Sequence, residues 1–183
     1  DRVHIIMGNH DTAVITDCDV TKGGREMNSA FKEAMNRSFG DEYEDVYDAL
    51  KRYLCSLPLA VKSAGGVWMS HSLPADRFAN VFDMGIFRRE LTAEDMIRPG
   101  SAYLLTWGRR HSEETLKQMA ELLEVDTFLL GHQSQEQGWA RTGDNTIVLA
   151  SDHNHGCLIE FGLEKSYTIE QLEDRIVSIA SIE

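Results

Sequence analysis

The sequence predicts an α/β protein in which short buried strands alternate with amphipathic helices. Four apolar runs, at residues 3–7, 67–69, 127–130 and 147–150, each end in a polar cluster that carries a histidine. A short apolar run that stops at a glycine or a polar turn is typical of a buried strand. Between the runs, apolar residues recur every three or four positions, which is the spacing of one helix face. Ligands of open α/β sheets bind at the C-terminal ends of the strands, so these clusters mark the expected site.

The helices are predicted from apolar periodicity and from signals at their ends. Pro58 ends the second helix, because proline cannot continue a helix interior. Ser112 can cap the third helix, whose two leading glutamates suit the helix dipole. The pattern Thr168-Ile169-Glu170-Gln171 is a capping box and opens the last helix. In chain order, the four helices are expected over residues 27–35, 46–57, 113–125 and 168–180.

Turn residues predict the connections between strands. Ala64-Gly65-Gly66 separates two runs that are typical of a β-hairpin over residues 59–71. Asp144-Asn145 predicts a second hairpin turn, and residues 16–24 form the most loop-like stretch. Because no internal repeat or long linker interrupts the pattern, we expect a single domain over residues 1–183.

Gly8-Asn9-His10-Asp11 is the most informative segment, because it brings a carboxamide, an imidazole and a carboxylate to the end of the first apolar run. Asparagine oxygen and histidine nitrogen both bind borderline divalent metals such as zinc, iron and manganese. Five of the seven histidines lie in the four clusters, which predicts one shared metal site. The alternative is a plain turn in which Asn9 is left-handed and His10 only forms hydrogen bonds.

The motifs resemble those of the calcineurin-like metallophosphoesterases, and within that superfamily those of the serine/threonine phosphoprotein phosphatases. Gly8-Asn9-His10-Asp11 resembles the family's Gly-Asn-His-Asp/Glu motif. Residues 57–60 resemble its Leu-Pro segment, and Ser70-His71-Ser72 resembles its His-Gly motif. Gly131-His132-Gln133 resembles its His-Gln segment, and residues 151–155 fall where the family has Ser-Ala-Pro-Asn-Tyr. The order and spacing agree from residue 1 to about residue 162.

The resemblance implies a sandwich of mixed β-sheets flanked by helices, with two divalent metal ions (Mn, Fe or Zn) bridged by hydroxide. It implies that Asn9, His71 and His132 bind the second of these metals. It also implies that His10 donates a proton to the leaving group, a task that suits an imidazole because its pKa lies near neutral pH. The substrate would be a phosphorylated protein or a small phosphoester, including a nucleotide.

Further residues resemble substrate-binding positions of the family. The segment from Tyr103 to Arg110 resembles a Leu-Leu-Trp strand that is followed by a phosphate-binding arginine, so Arg109 or Arg110 is expected to bind phosphate. A solvated basic turn would give the same sequence. His155 stands where the family has a tyrosine, and it could either contact the substrate or form hydrogen bonds within its loop.

The sequence also departs from the family pattern. The superfamily's first two motifs, Asp-x-His and Gly-Asp-x-x-Asp, do not precede Asn9, and Ser72 stands where the family prefers glycine. We therefore interpret the sequence as the C-terminal portion of a phosphatase domain, incomplete at its N-terminus, with ligands for mainly one metal. The isolated fragment is expected to be inactive. The alternative is a noncatalytic, metal-binding or regulatory remnant of the fold.

The amino-acid composition limits the classes of binding partner and the cellular location that we expect. A net charge of −12 argues against nonspecific nucleic-acid binding, which needs a basic surface. No membrane span or secretory signal is visible, so no membrane partner is expected. Three cysteines without metal-binding spacing are typical of reduced thiols in a cytoplasmic protein. A phosphate ester could approach so acidic a protein only at a local cationic site.

Overall fold

Helices and strands alternate through residues 3–182, which are the residues that the computed structural model describes. The α-helices are α1 Asn9–Ile15, α2 Met27–Phe39, α3 Tyr43–Cys55, α4 Ser101–Trp107, α5 Glu113–Leu123 and α6 Ile169–Glu173. The strands are β1 Thr21–Lys22, β2 Arg25–Glu26, β3 Ala60–Lys62, β4 Val67–Ser70, β5 Thr127–Leu130, β6 Trp139–Thr142, β7 Thr146–Leu149, β8 Cys157–Ile159 and β9 Ile176–Ser178. Short 3-10 helices lie at Gly40–Glu42, Asp76–Val81, Met84–Arg88, Glu94–Met96 and Ile179–Ser181.

A mixed five-stranded sheet organises the fold, with its strands in the order β3-β4-β5-β7-β6. The three central strands, β4, β5 and β7, are parallel, and an antiparallel strand flanks them on each side. Because the central strands run the same way, the segments that follow them emerge at one edge of the sheet. That edge carries three of the four predicted polar clusters. The α/β class and the mixed sheet flanked by helices are therefore confirmed.

The side chains of the central strands alternate between two apolar layers, as the pleat of a strand requires. Trp68, Phe128 and Val148 point into the larger layer, which they share with α1, α3, α4 and α5. Their neighbours Val67, Leu129 and Ile147 point to the other face and pack against Ile169 and Leu172 of α6. The sheet is thus buried on both faces, which explains why its strands read as unbroken apolar runs.

Most elements follow the sequence prediction. Helices α2, α3 and α5 form where periodicity predicts them, and the Ser112 hydroxyl caps α5 by accepting a hydrogen bond from the Thr115 N–H (3.2 Å). Strands β3 and β4 pair as the predicted hairpin, and β6 and β7 pair across the predicted turn. Among the described residues, no helix is long and apolar enough to cross a membrane.

The first apolar run is not a strand, contrary to the prediction. Val3 and Ile5 are 88% and 52% exposed, and only Met7 is fully buried. The Met7 N–H donates to the Pro58 carbonyl (2.9 Å), and the chain then enters α1 directly. An apolar run predicts that its residues are buried, but it does not predict that they pair in a sheet. Here only Met7 is fully buried. Gly8 accordingly precedes a helix and does not form a tight turn after a strand.

Two further predictions are corrected. The segment expected to be a Leu-Leu-Trp strand is helix α4, in which the Thr106 hydroxyl donates to the Ala102 carbonyl one turn earlier (2.8 Å). Leu104 and Leu105 are both buried, although they lie in a helix and not in a strand. The last helix, expected to reach residue 180, ends at Glu173, because the following residues pair with β8 as strand β9.

The stretch predicted to be a loop also contains a small hairpin. Strands β1 and β2 pair across Gly23 and Gly24, whose φ angles are 60° and 77°. A two-residue turn of this kind requires positive φ at both positions, and glycine supplies it without steric cost. This hairpin brings Lys22 to the edge of the cavity described below.

Candidate functional site

Helix α1 presents Asn9 from its first turn. The Asp11 carboxylate accepts a hydrogen bond from the Gly8 N–H (2.8 Å), which fixes the start of the helix. The Thr12 hydroxyl donates to the Asn9 carbonyl (3.0 Å), and the Asn9 side chain is buried. A Cβ atom added at Gly8 would lie 3.2 Å from the ring of His71. Glycine at this position therefore lets α1 begin directly against that histidine.

His71 and His132 follow adjacent parallel strands, β4 and β5. The Gly131 N–H donates to the His71 carbonyl (3.1 Å), which continues the pairing beyond the last strand residues. The two imidazole rings are consequently close, with centroids 4.8 Å apart. His132 adopts φ of 66°, in the left-handed region that residues other than glycine rarely occupy. Backbone strain of this kind clusters at functional sites.

The three predicted metal ligands meet at one point. The Nε2 atom of His71 lies 3.0 Å from Oδ1 of Asn9 and 3.0 Å from Nδ1 of His132. Two ligands of an octahedral ion, each bonded at about 2.1 Å, are separated by about 3.0 Å. The spacing and the donor types therefore suit a borderline divalent ion.

Burial keeps both imidazoles in the neutral form that metals bind. Burial, together with smaller contributions from the nearby His10 and Arg109, lowers the pKa of His71 to about 4. Burial, together with smaller contributions from His71 and Arg109, lowers the pKa of His132 to about 3. The Nε2 atom of His132 is buried without a hydrogen-bond partner among the described residues. The Nε2 atom of His71, which faces both Asn9 Oδ1 and His132 Nδ1, is oriented for a cation more than for a hydrogen-bond network.

A cavity of about 370 Å³ opens over these three side chains. Its wall includes two further predicted residues, His10 from the exposed side of α1 and Arg109 from the segment after α4. Lys22 and Asp152 also line it, and their side chains lie 3.8 Å apart. These last two were missed by the sequence analysis. Asp152 lies inside a recognised cluster, but Lys22 carries no sequence signal.

The segment that carries His71 also holds Arg109 in place. The Ser72 hydroxyl donates to the Gly108 carbonyl (2.6 Å), and the Ser72 N–H donates to the Leu105 carbonyl (2.8 Å). A Cβ atom at Gly108 would lie 1.6 Å from the Leu73 carbonyl oxygen, so only glycine permits this contact. Serine in place of the family's glycine thus provides a hydrogen bond between the two parts of the site.

Two predicted residues lie apart from this cavity wall. Arg110 lines a neighbouring cleft, which it shares with Arg109. His155 is exposed, and its backbone N–H donates to Nδ1 of His153 (3.1 Å). Neither residue is among those that surround Asn9, His71 and His132. The substrate contact expected of His155 stays a prediction.

The set of ligands is small. Among residues 3–182, no group of three or more histidine, cysteine, aspartate or glutamate side chains is arranged to hold a metal ion. The candidate site reaches three ligands only because the asparagine Oδ1 joins two histidines. That these residues serve mainly one metal stays a prediction.

Comparison with known proteins points in one direction. No protein-family model matches the chain. A serine/threonine-protein phosphatase of Caenorhabditis elegans is 21% identical over an alignment of 193 positions, which covers 93% of this chain and 40% of that protein. The chain therefore spans less than half the length of this curated relative.

Solved structures of phosphatases also resemble this chain. A serine/threonine phosphatase from Saccharomyces cerevisiae, described as similar to human phosphatase PP5, superposes with a TM-score of 0.57. It is 13% identical, and the match covers 83% of this chain and 48% of that one. A cold-active protein-tyrosine phosphatase of a psychrophilic Shewanella has a TM-score of 0.50 and 20% identity, over 82% of this chain and 50% of that one. This chain therefore has a phosphoprotein-phosphatase-like fold, as its motifs predicted.

Proposed function

We propose that this chain is part of a metal-dependent phosphoesterase that removes phosphate from phosphoserine or phosphothreonine in proteins. The observation that carries the proposal is that His71 Nε2 lies 3.0 Å from both Asn9 Oδ1 and His132 Nδ1, in a cavity that Arg109 and His10 also line. The curated relative and the yeast structure are named as serine/threonine phosphatases, which supports this substrate class over a small phosphoester.

Each residue has a role that follows from its chemistry. Asn9 Oδ1, His71 Nε2 and His132 Nδ1 would hold one divalent ion (Mn, Fe or Zn) of the two in the complete enzyme. Such an ion, when bound, makes a water nucleophilic near neutral pH and offsets phosphoryl charge. Arg109 offers a planar fork of donors to the phosphate oxygens. His10 reaches the same cavity from α1 and would protonate the leaving oxygen.

Electrostatics supports an anionic substrate at this place. The protein has a net charge of −12, yet the cavity wall carries Arg109 and Lys22 against the single carboxylate of Asp152. A local positive field in an acidic protein concentrates anions where it opens to solvent. A bound divalent cation would strengthen this field.

A second candidate is a noncatalytic metal-binding or regulatory protein with the same fold. It is favoured by the small ligand set, since the described residues offer one asparagine and two histidines at this site. A single ion held by three neutral ligands lacks the paired metals that clamp both oxygens during in-line displacement.

Metal content and hydrolysis, measured together, test the proposal. The polypeptide that naturally contains this chain would be purified with Mn²⁺ and assayed on a phosphoserine peptide. We expect His71→Asn to lose bound manganese and turnover together, whereas His4→Asn, a control at an exposed histidine, should keep both. Full manganese occupancy in His71→Asn would exclude the assigned ligand set. Manganese bound by the unaltered protein without any turnover would favour the noncatalytic candidate.

A further inference from the structure

A second cleft, of about 450 Å³, lies on the other side of Arg109 from the candidate metal site. We call it the arginine cleft. Its wall combines three arginines with three aromatic side chains, which are Arg77, Arg109, Arg110, Phe78, Tyr103 and Trp107. Neither the family resemblance nor the proposed mechanism gives this cleft a role.

The cleft is a cationic spot on an acidic protein. Its only carboxylate is that of Asp76, which accepts a hydrogen bond from the Ser112 N–H (2.8 Å) and is thereby turned toward the start of α5. Within the described part of the chain, no carboxylate lies within 4.0 Å of the guanidinium groups of Arg77, Arg109 or Arg110. These charges therefore remain available to an external anion.

Contacts within the cleft wall hold Arg77 and two aromatic side chains in position before any ligand arrives. The guanidinium of Arg77 lies 4.7 Å from the centre of the Phe78 ring, a separation typical of a cation–π contact. Arg110 adopts φ of 63°, a left-handed conformation that is rare outside glycine. Tyr103 and Trp107, one turn apart on α4, stack with centroids 5.5 Å apart and form a firm wall. Side chains ordered in this way lose less entropy on binding than free surface arginines do.

Arg109 connects the arginine cleft to the candidate metal site, because it lines both cavities. An extended peptide advances about 3.3 Å per residue. Because the two cavities share Arg109, a peptide whose phosphorylated residue enters the metal site can place a neighbouring side chain in the arginine cleft. The chemistry of that side chain is set by the guanidinium groups, which bind phosphate and carboxylate oxygens.

We infer that the arginine cleft binds a second anionic side chain of a phosphopeptide substrate, close in sequence to the phosphorylated residue that is hydrolysed. Arg77 and Arg110 supply the charge and thereby select substrates with a neighbouring phosphate or carboxylate. This inference rests on the proposed function, since it takes the substrate to be a phosphorylated protein.

The test compares peptides that differ only beside the hydrolysed phosphoserine. The Mn²⁺-loaded natural protein would be assayed on peptides that carry alanine, glutamate or a non-hydrolysable phosphonate at each of the three positions on either side. We expect kcat/KM to rise about tenfold for glutamate or phosphonate at the best position, mainly through a lower KM. Equal kcat/KM for all the peptides would overturn the inference.

Substitutions in the arginine cleft test whether this cleft causes the preference for an anionic neighbour. Arg77→Ala should remove the preference for an anionic neighbour while leaving the hydrolysis of p-nitrophenyl phosphate unchanged. Arg110→Asn should remove the same preference. Asparagine is chosen at Arg110 because it tolerates the left-handed backbone. Arg37→Ala, which removes the same charge from an exposed site on α2, should keep the preference. A preference that survives in both cleft variants would place the selectivity elsewhere.

A binding measurement separates this inference from the proposed function. If the protein hydrolyses no phosphoester, the proposed function fails, but the affinity for a labelled peptide with two phosphonates can still be measured. We expect Arg77→Ala to weaken that affinity about tenfold more than Arg37→Ala does, with a loss that shrinks at high salt. Equal affinities in the two variants would refute the inference that the arginine cleft binds a second anionic side chain. Stronger competition by a nucleoside monophosphate than by a phosphopeptide would also refute it, in favour of base stacking.

Discussion

Replacing Trp107 with phenylalanine tests how the two parts of the candidate site are joined. The indole Nε1–H of Trp107 donates to the Thr12 hydroxyl (3.0 Å), which in turn donates to the Asn9 carbonyl (3.0 Å). Thr12 is completely buried. This chain of bonds connects α4, which leads to Arg109, with the first turn of α1, which holds Asn9.

The expected cost follows from these contacts. Trp107→Phe removes one donor and leaves the buried Thr12 oxygen without it, which costs about 1–2 kcal/mol. The smaller ring of a half-buried residue adds about 1 kcal/mol of lost packing. The free energy of unfolding should therefore fall by about 2–3 kcal/mol. With a urea m-value of about 2 kcal/mol/M, the urea midpoint should fall by about 1–1.5 M.

A double-mutant cycle isolates the hydrogen bond from the lost packing. Thr12→Val keeps the shape of the side chain and removes its hydroxyl, so the two substitutions share one lost interaction. We expect the double variant to be about 1 kcal/mol more stable than the sum of the single effects predicts. Unfolding would be followed by far-UV circular dichroism, because Trp107 itself contributes to the fluorescence.

A second double-mutant cycle serves as the control. Trp139→Phe changes another half-buried tryptophan, on the edge strand β6, and should combine additively with Thr12→Val. Effects of Trp107→Phe and Thr12→Val that add within about 0.3 kcal/mol would show that this hydrogen bond does not couple α4 to α1. The reasoning that links the positions of Arg109 and Asn9 would then be wrong.

Three further predictions concern catalysis and pH. In the active, full-length protein, His10→Asn should lower turnover roughly 10²–10⁴-fold while the bound manganese is retained, and the loss should be smaller on an activated aryl phosphate. His132→Asn should instead lose the bound metal. Metal content and rate, measured in parallel on both variants, distinguish a proton donor from a metal ligand. Residues 1–183 alone should hydrolyse p-nitrophenyl phosphate little even with Mn²⁺, and robust turnover would contradict the small ligand set. Arg89 holds the pKa of Asp95 far below its usual range, so the stability gained from this carboxylate is complete above its unfolded pKa of about 3.9 and is lost as the pH falls further. The difference in urea midpoint between the unaltered protein and Asp95→Asn should therefore be constant from pH 7 down to about pH 4 and shrink as the pH falls further; a difference that is as large at pH 2 as at pH 7 would exclude this origin.

The sequence by itself determined the class of fold and most of its parts. Strands β4, β5 and β7 are short and uniformly apolar because both of their faces are buried, and the histidines that follow them read as one set. The Ser112 cap depends only on near neighbours in the chain, so local chemistry specifies it. The hairpin around Gly23 and Gly24 was not predicted, because that stretch was expected to be a loop. The convergence of His71 and His132 followed from their places at the ends of adjacent parallel strands.

Helix and strand could not be separated where the apolar segments were short. Residues 3–7 and 101–107 have compositions that suit either state, and their partners lie far away in the chain. Met7 bonds to Pro58, and the indole of Trp107 bonds to Thr12, 95 positions earlier. The same holds for residues 176–178, whose pairing with β8 ends the last helix early. Contacts between distant segments overrode local propensity at each of these places.

Only the tertiary structure decided how the charged groups are shared between the two cavities. Arg109 and Arg110 are adjacent in sequence and chemically identical, and no pattern could assign them different surroundings. The left-handed backbone at Arg110 and the contact of Gly108 with the Leu73 carbonyl turn the chain between them. Arg109 consequently lines both cavities, whereas Arg110 lines the arginine cleft. The sequence specifies which groups are available, but their directions depend on backbone angles that are fixed by contacts across the fold.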